Sequence, residues 1–449
     1  MCLKMRCKKM IAYRLLAFVL VTLFNVVPQA SAQGVITLDQ AILMATQNDL
    51  WLEASRFREQ STRANSVVAG QLPDPVIKMS IANLPLDSFE LNQEPMSQLT
   101  VGFSQVFPRG DSRALKQRHL QELGAEHSIM RLERSEKLGV VVAHLWLENY
   151  RNREAIRLIE KDRALFEHLV DVAQSSYTSA LGKTRQQDLI RAQLELTRLE
   201  DRLTVLQQRE ERARAQLSEW LPTIETVRLS IDSELPTLVL RHPGLIETRS
   251  VSEARLINWL QRHPSIRILD QKVKVGGTNV LIAQQQYKPQ WGLSLGYGYR
   301  DDDPLGVERS DFFSFAVSFD VPLFTENRQD KIVQSAVATE SATKTDRILA
   351  LRSLRTSFEE AHVILKRLSE RKILYRDRLL KEVHDQAEAS LTAYTHNDGD
   401  FSEVIRARIA ELNANIDYLN IRVDYLKTVA KINYFLPKTP EHASEGVRS

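Results

Sequence analysis

The sequence predicts a mainly α protein with a membrane β-barrel part. In that fold, an internally duplicated chain of long helices and coiled coils carries four β-strands, which join those of other copies. Three observations predict it. Gly and Pro, the helix breakers, number only 16 and 15 in 449 residues, while hydrophobic residues make up 43% and charged residues 26%, a globular composition biased to helix. One pattern recurs at a displacement of about 215 residues. Four short segments alternate large apolar with small or polar residues, the period of a strand.

In chain order, residues 1–32 come first. Lys4, Arg6, Lys8, Lys9 and Arg14 precede an apolar run over residues 15–27, and Ala30-Ser31-Ala32 follows as a small-x-small cleavage site. This is the grammar of a signal peptide. Without those five cations the formal charge of +3 becomes −2, so the basicity is a targeting feature, not a nucleic-acid footprint. Both cysteines, Cys2 and Cys7, lie in this segment, which leaves the exported chain without disulfide, thiolate ligand or cysteine nucleophile. No later stretch is apolar and long enough for a membrane helix, so a membrane crossing would have to use strands.

The repeat divides the remainder into a first unit over residues 33–222, a linker over 223–250, a second unit over 251–437 and a polar tail over 438–449. Asp188-Leu189-Ile190-Arg191-Ala192 answers Glu403-Val404-Ile405-Arg406-Ala407, Trp220-Leu221-Pro222 answers Phe435-Leu436-Pro437, and Gln105-Val106-Phe107-Pro108 answers Phe319-Asp320-Val321-Pro322 one residue out of step. Each unit is expected to open with a helix, at about residues 38–71 and 253–286, followed by two strands and a very long helix, at about 112–179 and 327–395. A break then falls at residues 181–183 and 396–400, and a last helix runs to a Leu-Pro stop. The linker carries Pro222, Pro236, Pro243 and Gly244, with one short strand expected over residues 227–231. Leu158, Leu165, Leu169 and Val172, and Leu189, Ala192, Leu196, Leu199 and Leu203, recur at coiled-coil spacing.

The strand segments name their own faces. Leu99, Val101 and Phe103 alternate with Thr100, Gly102 and Ser104. Trp291, Leu293, Leu295 and Tyr297 alternate with Gly292, Ser294 and Gly296, and Phe313, Phe315, Val317 and Phe319 with Ser314, Ala316 and Ser318. A soluble half-buried sheet gives the same alternation. A length near ten residues, aromatics toward the strand ends and a face of Gly, Ser, Thr and Ala favour a membrane barrel with a hydrated lumen. Four strands cannot close a pore, and open edges are not tolerated in lipid. Three copies would supply about twelve strands, a plausible small pore.

This order of elements resembles the TolC-type outer-membrane efflux proteins over residues 36–437. The local marks are Leu38-Asp39-Gln40-Ala41, Phe103-Ser104-Gln105-Val106-Phe107-Pro108 and the stretch from Gly182 to Gln193. The resemblance implies a homotrimer in the outer membrane of a Gram-negative bacterium, with a twelve-stranded barrel and a helical barrel reaching into the periplasm. It implies partners as well: a periplasmic membrane-fusion adaptor at the helical tips, an inner-membrane transporter of RND type, and outer-membrane lipid. Leu72-Pro73-Asp74-Pro75 and Asn83-Leu84-Pro85 are similar to the heavy-metal-efflux branch, which makes metal cations a candidate cargo. At the tips the family often carries two acids that ring a closed entrance. Here Glu403 keeps the first and Arg406 replaces the second; Asp188 and Arg191 sit likewise in the first hairpin. An acid and an arginine at i, i+3 share a helical face and can pair. Asp188, Arg191, Asp398, Asp400, Glu403 and Arg406 are therefore the tip and gate candidates, and Gly182 and Gly399 the helix-turn candidates for adaptor docking.

No enzyme site is expected. The ten histidines are scattered, with no His-x-x-x-His spacing, and Gly276-Gly277 sits in a helical pattern, not after a strand. No cofactor is implied. The competing readings are a periplasmic coiled-coil scaffold and an adaptor without a pore.

Overall fold

The computed structural model describes residues 36–178, 185–221, 234–243, 253–396 and 398–436. The expected signal peptide, the strand at residues 227–231, Gly182 and the tail lie outside them. In the first half, α1 (Leu38–Gln47) and α2 (Leu50–Ala69) lead to β1 (Val76–Ala82) and β2 (Gln98–Phe107), then α3 (Ser112–Thr178) and α4 (Gln186–Leu217). In the second half, α5 (Glu253–Gln261) and α6 (Pro264–Gln284) lead to β3 (Trp291–Tyr299) and β4 (Phe312–Phe319). Then come α7 (Gln329–Leu374), α8 (Leu380–Thr395) and α9 (Phe401–Phe435). Both halves thus run through the same order of elements.

Three expected helices are interrupted. The first helix of each half is two helices. Asp49 stops the continuous run: its carboxylate accepts from the Trp51 N–H at 3.0 Å and so caps α2. The same carboxylate pairs with Arg134 at 2.8 Å, and that guanidinium also lies over the rings of Trp51 and Trp220. In the second half Pro264 occupies the first turn of α6, where its missing N–H costs nothing. His263 caps that helix, its Nδ1 accepting from the Ser265 N–H at 3.2 Å. The long helix of the second half carries a π turn over Tyr375–Leu379 between α7 and α8. A π turn shifts the hydrogen-bond ladder by one residue, and periodicity in the sequence does not reveal it.

α3 is the spine. Its 67 residues make it about 100 Å long at 1.5 Å per residue, and α1, α2, α4, α6 and α9 all pack on it. Three apolar clusters are strung along the helices. One gathers Leu38, Val142, Trp146, Leu147 and Leu217 along α1. A second, toward the free ends of α3 and α9, gathers Phe166, Leu199, Phe401, Ile405 and Leu412. A third joins Leu260, Phe358, Leu365 and Phe435. Burying each such side chain contributes about 1.5–3 kcal/mol.

His263 is fully buried among these elements: its Nε2 bonds the Tyr434 carbonyl at 3.1 Å, and Glu133 lies 4.0 Å from Nδ1. Burial pushes the imidazole pKa below its ordinary value, and the Glu133 carboxylate offsets this only in part. The folded state therefore binds a proton less readily than the unfolded chain. The resulting stability is present above the unfolded value of about 6.5 and is lost as pH falls through the folded value. On going from about pH 7.5 to about pH 5.5, the thermal midpoint of the wild type should fall more steeply than that of His263→Asn, which keeps a capping side chain and cannot titrate. Parallel slopes would remove His263 from the acid response.

Candidate functional site

The four strands form one antiparallel sheet in the order β1-β2-β3-β4. β1–β2 and β3–β4 are hairpins, whereas β2 and β3 meet after the whole helical excursion between them. Their register sorts the side chains. Ile81 and Leu99 share a row with Tyr299, Met79 and Val101 with Tyr297 and Phe313, and Ile77 and Phe103 with Leu295 and Phe315. Gln105, Leu293 and Val317 make the next row, and Phe107, Trp291 and Phe319 the last. Because neighbouring pairs in register point the same way, all eleven predicted apolar-face residues lie on one face. These are Leu99, Val101, Phe103, Trp291, Leu293, Leu295, Tyr297, Phe313, Phe315, Val317 and Phe319.

Aromatics concentrate at the two ends of that face. Phe107, Trp291 and Phe319 form the row nearest the helices, with the Trp291 and Phe319 rings 4.9 Å apart. Tyr297, Tyr299 and Phe313 stand near the hairpin loops, and aliphatic residues fill much of the space between. From Trp291 to Tyr299 is about 27 Å at 3.3–3.4 Å per residue, close to the height of the apolar band of a membrane barrel. The opposite face presents Lys78, Ser80, Thr100, Gly102, Ser104, Ser294, Gly296, Ser314 and Ser318. Gln105 interrupts the apolar face, its amide donating to the Pro73 carbonyl at 2.8 Å. Val76, Val106 and Phe312 interrupt the polar one; the Arg300 guanidinium lies 4.6 Å from the Phe312 ring centroid.

Among the described residues, no helix packs extensively against either face of the sheet. Phe313 is 73% exposed and Phe315 62% exposed, values a half-buried soluble sheet would not leave on its apolar side. Among the described residues β1 and β4 have no strand on their outer sides, which leaves both edges of the sheet open. A clasp holds the sheet to the helices. Arg109 bonds the Asp320 carboxylate and the Lys288 carbonyl, and Lys288 pairs with Asp111 at 3.2 Å. Gly110, at φ +43°, turns the corner; a Cβ there would collide with the Lys288 side chain. These contacts join residues about two hundred positions apart. The only local sign of them in the sequence is a charge within two residues of each strand-ending proline, Arg109 after Pro108 and Asp320 before Pro322.

The tip candidates are at the far ends of α4 and α9, and their structure departs from the expected ion pairs. Asp188 does not pair with Arg191. It is buried, and its carboxylate turns back to accept from the Arg185 N–H at 3.0 Å, as acids in a first helical turn do. Glu403 does not pair with Arg406 within the chain either; the Arg406 Nε donates to the Ser402 carbonyl at 3.2 Å, and both side chains are exposed. Asp400 caps α9 through the Ser402 N–H at 3.1 Å, and Asp398 is exposed without an ion pair among the described residues. Gly399 has a steric role: a Cβ would lie 2.7 Å from the Tyr394 backbone nitrogen. Gly182 lies outside the described residues.

A charged cluster that sequence reasoning missed ties α8 to α9 just above the tip. Arg408 bonds Glu388 at 2.7 Å and Glu411 at 2.9 Å, and His384 Nδ1 meets Glu411 at 2.6 Å. The hydrogen bond to the Glu411 carboxylate raises the His384 pKa. This tie is complete below the unfolded value of about 6.5 and weakens as pH rises through the raised folded value. Among the described residues, no group of three or more His, Cys, Asp or Glu is placed to hold a metal ion, and no helix is long and apolar enough to cross a membrane.

Comparisons with protein-family models and with curated proteins return no match. Solved structures do match. CusC, described in terms of folding and transmembrane channel formation, superposes with a TM-score of 0.69 at 13% identity, over 89% of this chain and 92% of that one. VceC, an outer membrane protein of Vibrio cholerae, gives 0.71 at 14% identity, over 89% and 95%. CmeC, an outer membrane channel of Campylobacter jejuni, gives 0.71 at 13% identity, over 92% and 89%. Likeness at such identities shows the fold: long helices and a four-stranded sheet in the TolC-type arrangement that the sequence pattern led us to expect.

Removing the Asp400 cap should cost about 1 kcal/mol of local stability, a several-fold rise in opening. Amide exchange at Ser402 and Glu403 in Asp400→Ala should quicken by that factor while exchange in the middle of α9 is unchanged. Equal exchange in both proteins would show that the cap does not hold the tip.

Proposed function

We propose that this protein is the exit duct of a tripartite efflux system, a passive channel in the outer membrane of a Gram-negative bacterium. The observation that carries this reading is a sheet with one apolar, aromatic-ended face and one small, polar face, uncovered on both and open at both edges. In lipid the apolar face needs no protein cover, and each edge finds a partner in another copy. β1 and β4 run antiparallel, so β4 of one copy can pair with β1 of the next. Three copies then make a closed twelve-stranded barrel, a size compatible with a hydrated lumen.

The matching fold of known outer-membrane channels supports the same reading. Residues 1–32 direct export and are removed. The two units, residues 33–222 and 251–437, form a helical conduit below the barrel. Its tips, at Gly182 and Gly399, meet a periplasmic adaptor that is gripped by an RND-type inner-membrane transporter. Asp188, Arg191, Asp398, Asp400, Glu403 and Arg406 line the tip. Since Glu403 and Arg406 are exposed and make no ion pair among the described residues, their pairing across neighbouring copies is open as a gate. Metal cations are the candidate cargo, on the wording of residues 72–75 and 83–85 alone.

Leu295→Arg or Phe315→Arg would place a cation near the middle of the lipid-facing band, at a cost of about 2–4 kcal/mol per chain. Outer-membrane fractions should hold much less assembled protein for either variant, while Ser294→Arg, on the opposite face, should assemble. Normal yield of all three would contradict the face assignment.

A further inference from the structure

Past the last aromatic row, the chain leaving β4 carries an apolar segment that one copy leaves in solvent. It reads Val321-Pro322-Leu323-Phe324. Leu323 is 74% exposed, Phe324 91% exposed, and Val321 is exposed beside them. The segment is an arm held at both ends. Asp320 is fixed by Arg109, and its carboxylate accepts from the Gln290 N–H at 2.7 Å. The Leu323 N–H donates to the Val321 carbonyl at 2.9 Å, a three-residue turn about Pro322. Beyond the arm, the Thr325 carbonyl accepts from the Arg328 and Asp330 N–H groups at 3.1 and 3.0 Å and leads into α7. Two large apolar side chains held out into solvent mark a contact surface.

Lipid is a poor cover for them. The arm lies past the row of Phe107, Trp291 and Phe319, at the level of the clasp formed by Arg109, Asp111, Lys288 and Asp320. Glu326 and Arg328 follow it and are exposed. Sinking the arm into hydrocarbon would draw these charges toward it.

The opposite edge of the same layer carries an apolar surface at the same level. The helices beside the sheet keep the order of the strands: α2 packs on α3, α3 on α6 and α6 on α7. α2 and α7 are the outer helices there, as β1 and β4 are the outer strands. Ser55, Glu59 and Ser66 of α2 are buried on its α3 side, where Glu59 bonds Arg131 of α3. Val68, two residues after Ser66, falls on the far side of α2. It is 70% exposed; Val67 and Leu72 beside it are exposed as well. The segment from α2 to β1 is pinned to its own copy, with Arg113 donating to the Gly70 carbonyl at 3.5 Å and Gln105 to that of Pro73. When β4 of one copy lies antiparallel beside β1 of the next, the chain leaving Phe319 passes the chain entering Val76. Residues 321–324 then stand beside the end of the neighbour's α2.

We propose that the arm at residues 321–324 docks on the next copy, with Leu323 and Phe324 against Val67, Val68 and Leu72, and locks the copies together where sheet meets helices. The proposal rests on the reading that β4 of one copy joins β1 of the next.

The test is disulfide trapping in the intact chain. Its only cysteines, Cys2 and Cys7, lie in the proposed export segment, so introduced pairs read cleanly. Phe324→Cys with Val68→Cys, oxidised in outer-membrane vesicles, should link most chains into covalent dimers and trimers on a non-reducing denaturing gel. Phe324→Cys alone should link only at background. So should Phe324→Cys with Leu50→Cys, because Leu50 is also exposed but lies about 27 Å lower on α2. The paired side chains are exposed in a single copy, so the substitutions disturb no core. Leu323→Cys with Val67→Cys is the second pair if the first assembles poorly. Native mass of the same extract tells two failures apart. Complexes of three chains without a link would overturn the docking and leave the channel reading standing. So would labelling of Phe324→Cys by a lipid-soluble maleimide as fast as Phe315→Cys, which would place the arm in lipid. Single chains without a link would overturn both.

Discussion

The rest of the structure depends on one unmet demand of the backbone. A four-stranded sheet has two edges, and among the described residues both are bare. An edge strand in water can be blunted by charge, proline or a covering helix. β4, from Phe312 to Phe319, has none of these: it is apolar or small throughout, exposed along its whole length and uncovered. The sheet is also too small to roll up alone. The same copy that leaves β4 open leaves β1 open in the complementary direction, so repetition of the chain, as proposed above, can meet the demand. On that proposal, oligomerisation is a condition of the fold and not an addition to it.

The helices serve that arrangement. α3 gives the sheet a stem about 100 Å long, and the packing of α1, α2, α4, α6 and α9 on it leaves the strands at one end and the free ends of α3, α4, α8 and α9 at the other. Apolar clusters stabilise the stem in stages and do not form one globular core. The strand end is fastened by Arg109, Asp320, Lys288 and Asp111 across both halves of the chain. The opposite end is fastened more lightly, by caps at Asp188 and Asp400 and by the Arg408 cluster. Such ties are weak and partly exposed.

Much of this was legible in the sequence because it is written in periodicity. Period two assigned each apolar strand residue to its face, and the register agrees for all eleven. Period three-to-four placed the long helices within a few residues. What was not legible depends on single side chains or distant contacts. The break at Asp49 comes from a capping carboxylate, which looks in sequence like any polar helix residue. The π turn at Tyr375 leaves no periodic mark at all. The pairs expected at Asp188–Arg191 and Glu403–Arg406 obeyed helical spacing, yet backbone groups of the first turn competed for Asp188 and Arg406. His263 looked like one scattered histidine among ten; only the fold buries it against Glu133 and Tyr434.

The central claim is that the sheet is completed by other copies of the chain within a membrane, and native mass tests it most directly. The protein would be extracted by mild detergent from a purified outer-membrane fraction and weighed as the intact complex. The account predicts a complex of three chains that requires detergent for release. A single chain, or release into the soluble periplasm without detergent, would contradict it and would mean that the sheet is closed by something else.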